Sequence, residues 1–120
     1  MSNIDETLEG LMAVTGALGC AIVDGNSGMA LGTSGGGVDL ELAAAGNSEV
    51  VKAKLKTMES LGVSGGIEDI LITLDKQLHV IRPSSTHPGL FLYFVLDKKA
   101  ANLALARRKV ADLEAALIDI

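Results

Sequence analysis

The residues of this sequence that could perform chemistry are one cysteine, two histidines and a loop rich in hydroxyls. The loop reads Ser84-Ser85-Thr86-His87-Pro88, and a hydroxyl beside a histidine is a pairing that can activate a nucleophile. Side chains adjacent in sequence rarely meet in that geometry, however, and no nearby carboxylate would orient His87. Cys20 lies in an apolar run without a basic neighbour to favour its thiolate. We therefore predict a chain that is not an enzyme and has no catalytic residue.

Two further motifs resemble parts of nucleotide-handling sites. The segment Gly32-Thr33-Ser34-Gly35-Gly36-Gly37 is glycine-rich, but it lacks the Gly-Lys-Ser/Thr ending of a phosphate-binding loop, so we interpret it as a flexible connector. Arg82 could stabilise charge during phosphoryl transfer, although solvation at the end of a strand is the simpler interpretation. A single cysteine leaves no Cys/His set for zinc. The sequence predicts neither a metal site nor a cofactor.

Charge and composition exclude several classes of function. The formal net charge of −5 opposes binding to a phosphate backbone, and only two Phe and one Tyr are available to stack on bases. No apolar run approaches the roughly 18 residues of a membrane span. The acidic residues near the N-terminus, Asp5, Glu6 and Glu9, do not suit a signal peptide. We expect one cytoplasmic domain over residues 1–120, complete as given, that neither binds nucleic acid nor inserts into a membrane.

A hairpin organises the first half of the chain. Leu18 to Val23 is apolar without alternation, which is typical of a strand covered on both faces. The turn formers from Asp24 to Gly28 reverse the chain, and Met29 to Thr33 returns as a strand better suited to an edge.

Three helices are predicted from apolar spacing. The first runs from about Ile4 to Thr15, with Asn3 and Glu6 as a capping box and Gly16 as its left-handed terminator. The second begins at 38 or 39 and ends at 61, unless it kinks at 46–48. The third runs from 98 to about 117 after a capping aspartate, and it leaves Leu105 off the apolar stripe.

Three more strands are expected between the second and third helices, at 67–74, 78–82 and 90–96. Because the strands at 18–23 and 90–96 are apolar on both faces, they belong in the middle of one sheet. The predicted fold is α+β: a five-stranded antiparallel sheet of order 2-1-5-4-3, with the long helix on one face and the two terminal helices on the other.

This order leaves the third strand exposed at an edge, without proline or lysine in its apolar stretch. Pairing with the same strand of a second copy would protect it and would bring the small residues of the two long helices together. The predicted dimer interface contains Ala43, Gly46, Val50, Ile70, Leu71, Ile72 and Thr73. The alternative is that the charges of Glu68 and Asp69 protect the edge by themselves.

The order of elements resembles the profilin-like fold of the roadblock/dynein light chain family. The likeness covers essentially the whole chain, and its most telling parts are the opening helix ending in Gly16, the hairpin from Cys20 to Gly32, and the apolar strand with Tyr93 that leads into Asp97. The resemblance implies a homodimer with a joined sheet that serves as a platform for other proteins. Bacterial relatives are typically associated with Ras-like small GTPases, so the resemblance implies a non-catalytic GTPase regulator or scaffold.

A second hypothesis is a small-ligand sensor or a general interaction adaptor. A sheet wrapped by helices can open an apolar pocket between its layers. The scarcity of aromatic and convergent polar residues argues against this alternative.

Overall fold

The computed structural model describes residues 3–118 and 120. The order of its elements is the predicted one, and residues 1, 2 and 119 of the expected single domain lie outside the described residues. The elements are α1 (Ile4–Met12), β1 (Ala17–Asp24), β2 (Met29–Gly35), α2 (Leu40–Leu61), β3 (Ile70–Thr73), β4 (Gln77–Pro83), β5 (Leu90–Asp97) and α3 (Leu103–Ala115).

The five strands form one antiparallel sheet of order β2-β1-β5-β4-β3, which confirms the predicted topology. The central pair, β1 and β5, are in register with Cys20 opposite Phe94 and Ile22 opposite Leu92. Both strands are buried over most of their length because each of their faces is covered.

The two faces of the sheet belong to two separate core clusters. On one face, Ile22, Leu92 and Phe94 pack under α1 and α3. On the other, Val23, Phe91 and Tyr93 pack under α2. The predicted division of the helices between the two faces is therefore confirmed, and we call these faces the α1–α3 face and the α2 face.

The capping box predicted for α1 is wrong. The side chain of Asn3 makes no capping hydrogen bond, and its amide instead donates to the backbone oxygen of Ala116 at 2.7 Å. The helix ends at Met12 rather than Thr15, so Gly16 is not its terminator. Gly16 does have a positive φ of 87°, as expected, and a Cβ there would lie 2.9 Å from the amide nitrogen of Ala101.

The long helix α2 is continuous from Leu40 to Leu61, with no break at 46–48. Asp39 caps it by accepting from the amide of Leu42 at 3.1 Å, and Gly62 ends it with a φ of 71°. The sheet does not cover the whole length of the helix, because Leu55 is 47% exposed. The helix packs mainly over β1 and β2, so its last turns have little sheet beneath them.

Three other elements have bounds that differ from the predicted ones by two residues or more. Helix α3 starts at Leu103, because Asn102 caps it and Asp97 instead forms a turn with the amide of Lys99. Strand β3 is shorter than 67–74, and β2 is longer than 29–33 because it continues to Gly35. The first four of the six residues in the predicted glycine-rich connector are thus part of the sheet.

Gly19 supplies a close approach between β1 and the chain that leaves β2. A Cβ at Gly19 would collide with the backbone oxygen of Gly36, whereas a Cβ at Gly36 would meet nothing within 4 Å. We predict that Gly19→Ala lowers the free energy of unfolding by about 1 to 3 kcal/mol, as overpacking does. Gly36→Ala is the matched control and should stay within about 0.5 kcal/mol of the unmodified protein. Urea unfolding at one protein concentration measures both, and equal effects would contradict the prediction.

Candidate protein-interaction site

Helix α2 covers only part of its face of the sheet. A Cβ at Gly28, in the turn between β1 and β2, would lie 3.6 Å from the Cα of Ala45 and 3.9 Å from the hydroxyl of Ser48. This flank of α2 therefore faces the β2 edge. On the far side of the sheet Ile72 is only half-buried and lies beside His79. We call this part of the α2 face, over β3 and β4, the open half.

The structure divides the seven predicted interface residues between two faces. Spacing along α2 places Ala43, Gly46 and Val50 on the flank opposite Ala45, toward the open half. Ile70 and Ile72 also point to the α2 face, where they pack against its core cluster. The remaining two residues, Leu71 and Thr73, are paired with Val80 and Leu78 and share the α1–α3 face with them.

The α2 flank is accessible to another molecule. Val50 is 37% exposed, and a Cβ at Gly46 would meet nothing within 4 Å. Ala43 is half-buried against the core of the α2 face. Small side chains thus leave room for a second backbone to approach this flank.

Strand β3 is the outermost strand of the described sheet, and no strand pairs with its outer side. The two carboxylates that precede β3 in the sequence, Glu68 and Asp69, lie close to arginines of the same chain. Asp69 is bound by Arg107 through two hydrogen bonds of 2.7 and 3.0 Å, and Glu68 lies 3.8 Å from Arg82. The hydrogen bonds and charge of Asp69 raise the pKa of Arg107. Asp69 is therefore held toward α3 and gives the β3 edge little protection.

A polar cluster lies at the border of the open half. The Nε2 atom of His79 is 2.9 Å from the Oε1 atom of Gln77, and its Nδ1 atom is 3.0 Å from the hydroxyl of Tyr93. Because the Gln77 oxygen only accepts, Nε2 carries the proton and Nδ1 accepts from Tyr93. Burial lowers the pKa of His79 and raises that of Tyr93. His79 is therefore neutral near pH 7.

The solvated strand end predicted at Arg82 is wrong. Its side chain is only 19% exposed, and its Nε atom lies 3.5 Å from Oε1 of Glu114, which is 1% exposed. The hydroxyl of Ser85 donates to both oxygens of Glu114, at 3.2 and 3.0 Å. Arg82 is thus held against α3 and is not extended as a finger. The sequence did carry a signal: Glu114 occupies an apolar-stripe position between Val110 and Leu117.

The side chains of the loop from Ser84 to Pro88 make contacts that hold the loop in place. Thr86 Oγ1 donates to the backbone oxygen of Leu117 at 3.2 Å and lies 2.9 Å from Nδ1 of His87. With its proton directed at the carbonyl, the hydroxyl accepts from His87, which is the reverse of nucleophile activation. The two neighbouring side chains are in contact, but not in the geometry that would activate a nucleophile, as expected from their adjacency.

Cys20 is fully buried in β1 on the α1–α3 face, as predicted. Its sulfur lies 3.8 Å from the backbone oxygen of Leu8, and burial raises its pKa to about 11. The thiol is therefore an inert part of the core.

Across residues 3–118 and 120, no three His, Cys, Asp or Glu side chains are grouped as metal ligands, and no helix is long and apolar enough to span a bilayer.

His79 should make the stability of the protein depend on pH. Its lowered pKa means that the unfolded state, with an ordinary pKa near 6.5, binds more protons as pH falls through about 6.5. We predict that the free energy of unfolding decreases from pH 7 toward pH 5 more steeply in the unmodified protein than in His79→Gln. Urea unfolding at each pH and at one protein concentration measures the difference, and parallel curves would contradict it.

Solved structures similar to this one share a single fold. They include a Roadblock/LC7 domain from Streptomyces avermitilis, with 18% identity, coverage of 96% of this chain and 94% of that chain, and a TM-score of 0.82. MglB from Myxococcus xanthus has 17% identity, 96% and 91% coverage and a TM-score of 0.83. The gliding protein MglB from Thermus thermophilus has 18% identity, 96% and 85% coverage and a TM-score of 0.81. No protein-family model and no curated protein matches the sequence.

Proposed function

Because the chain has the roadblock fold, we propose that it is a non-catalytic homodimer of the cytoplasm that regulates or scaffolds a Ras-like small GTPase. The observation that carries this proposal is the combination of an unpaired β3 edge with the open half of the α2 face. Both surfaces lie at the β3 end of the sheet, so one partner copy would cover both.

The dimer is proposed from unsatisfied backbone groups and uncovered apolar surface. Antiparallel pairing of β3 with β3 of a second copy would supply partners for the outer N–H and C=O groups and would continue the sheet across a two-fold axis. The partner's α2 would then approach Ala43, Gly46 and Val50. The partner's α2 would bury Ile70 and Ile72 on the α2 face. Leu71 and Thr73 would take part in the interface only through the hydrogen bonds of their backbone groups.

The GTPase partner is proposed from the fold and from the resemblance found in the sequence. Bacterial roadblock proteins are typically associated with Ras-like GTPases, and a two-fold platform suits a regulator that positions another protein. The side chains with reactive types, Cys20, Thr86 and His87, have structural contacts here, which supports a binding role. The small-ligand alternative remains a hypothesis, and its candidate site is a groove of about 420 Å³ lined by Val51 and Leu55 of α2 and by Arg82 at the end of β4.

A charge on the open flank of α2 should weaken the dimer. Val50→Glu places a carboxylate on the proposed interface, and we predict that the dissociation constant of the dimer rises at least tenfold, about 1.4 kcal/mol. Ala45→Glu is the matched control because Ala45 is exposed on the opposite flank of the same helix, beside the turn at Gly28. Sedimentation velocity measures the dissociation constants, and circular dichroism checks that each variant is folded.

Two outcomes would contradict the shared-sheet dimer. One is an unmodified protein that is monomeric at tens of micromolar, well above the dissociation constants of stable dimers. The other is a folded Val50→Glu variant that dimerises as tightly as Ala45→Glu.

The GTPase partner is tested separately by affinity capture. Tagged protein is incubated with native extract in the presence of GDP or of a non-hydrolysable GTP analogue, and captured proteins are identified by mass spectrometry. We expect a Ras-like GTPase to be enriched in one nucleotide state, since a regulator distinguishes the two. Recovery of no GTPase in either state would count against the proposal.

A further inference from the structure

An apolar groove of about 420 Å³ lies on the outer surface of the α1–α3 layer. It runs between the end of α1 and the beginning of α3. Ala13, Val14 and Leu105 provide its apolar surface, and Arg108 and Lys109 stand beside them. Val14 packs against the core beneath, whereas Leu105 is 64% exposed.

The geometry of the groove is fixed by both helices. The spacing of Leu105, Arg108, Lys109 and Asp112 places all four on one side of α3. The start of this helix is fixed because Asn102 accepts a hydrogen bond from the amide of Leu105 at 3.1 Å. At its other end the groove closes where α1 approaches α3, since a Cβ at Gly10 would lie 2.9 Å from a methyl carbon of Leu113.

The charge of the groove is opposite to that of the chain. Its lining has two cations, Arg108 and Lys109, and one carboxylate, Asp112, whereas the whole chain has a formal charge of −5. The adjacent Arg107 is engaged with Asp69. Arg108 and Lys109 form no ion pair within the described part of the chain. Two unpaired cations therefore flank an exposed leucine.

We propose that this groove binds an acidic amphipathic helix of a partner protein. Apolar residues of that helix would pack on Val14 and Leu105, and its Asp or Glu side chains would pair with Arg108 and Lys109. The groove lies on the face of the sheet opposite the open half, so this proposal is independent of the dimer and of the GTPase. A homodimer would present two copies of it.

Two other occupants fit the groove less well. A small molecule is usually enclosed and oriented by a few convergent polar groups, but here the charged groups stand beside an open, apolar surface. An anionic membrane would attract Arg108 and Lys109 but would repel the net charge of −5. A helix contacts the groove locally and brings its own matching charges.

The test uses the whole protein and a designed helical peptide of about 16 residues. Leucines at positions i, i+3, i+4 and i+7 form its apolar face, with glutamates beside them, and a second peptide has each of these glutamates replaced by glutamine. Fluorescence anisotropy measures binding at about 50 and 500 mM salt. We expect saturable binding of the acidic peptide that weakens at high salt, and at least tenfold weaker binding of the glutamine peptide.

Variants of the protein locate the site. Arg108→Glu with Lys109→Glu should weaken binding of the acidic peptide at least tenfold, and Leu105→Ser should weaken it without changing its salt dependence. The matched control is Lys52→Glu with Lys56→Glu, which changes the net charge equally on the opposite face and should stay within about twofold. Val50→Glu should also bind normally, which separates this site from the dimer interface.

The proposal is overturned if the acidic peptide does not bind saturably or if the two double variants weaken its binding equally. Sedimentation with phosphatidylcholine vesicles containing about 30% phosphatidylserine tests the membrane alternative. Vesicle binding that is lost in the Arg108/Lys109 variant, without peptide binding by the unmodified protein, would assign the groove to a membrane surface instead.

Discussion

The structure depends on covering the two central strands, β1 and β5, on both of their faces. Strands are about 4.8 Å apart and a helix is about 10 Å wide, so one helix covers two or three strands. Two helices, α1 and α3, nearly cover one face of this five-stranded sheet, whereas the other face has α2 alone. The open half over β3 and β4 follows directly, because a layer of one helix is narrower than a layer of two helices. The interaction surface is therefore a consequence of the fold's architecture.

The fold could be predicted because its main signals are local. Apolar runs without alternation identified the central strands, turn formers identified the hairpin, and apolar spacing identified the three helices. Helical spacing is also sufficient to place Ala43, Gly46 and Val50 on one flank of α2, although the prediction named them only as members of the interface. Because successive side chains of a strand point to opposite faces, the sequence could have shown that Leu71 and Thr73 point away from the face of Ile70 and Ile72. The prediction instead assigned all four residues to the interface without separating the two faces.

The features that could not be predicted depend on partners that are distant in sequence. Asn3 resembles a helix cap, yet its amide binds the oxygen of Ala116 at the far end of the chain. Arg82 resembles a solvated strand end, yet it meets Glu114, which only the docking of α3 brings near. Propensity describes what a residue does with its neighbours in sequence. These two side chains find their partners far away in the sequence, and the stripe position of Glu114 indicates only that it is buried, not which residue it meets.

The position of Tyr93 gives the molecule a built-in optical reporter. The chain has one tyrosine and no tryptophan, so its intrinsic emission comes almost entirely from this ring. The ring is 1% exposed, and its hydroxyl lies 3.0 Å from His79 at the border of the open half. A molecule that docks over β3 and β4 would change the surroundings of this fluorophore without a label, whereas one that binds the outer groove would leave the entire sheet between itself and the emitting ring.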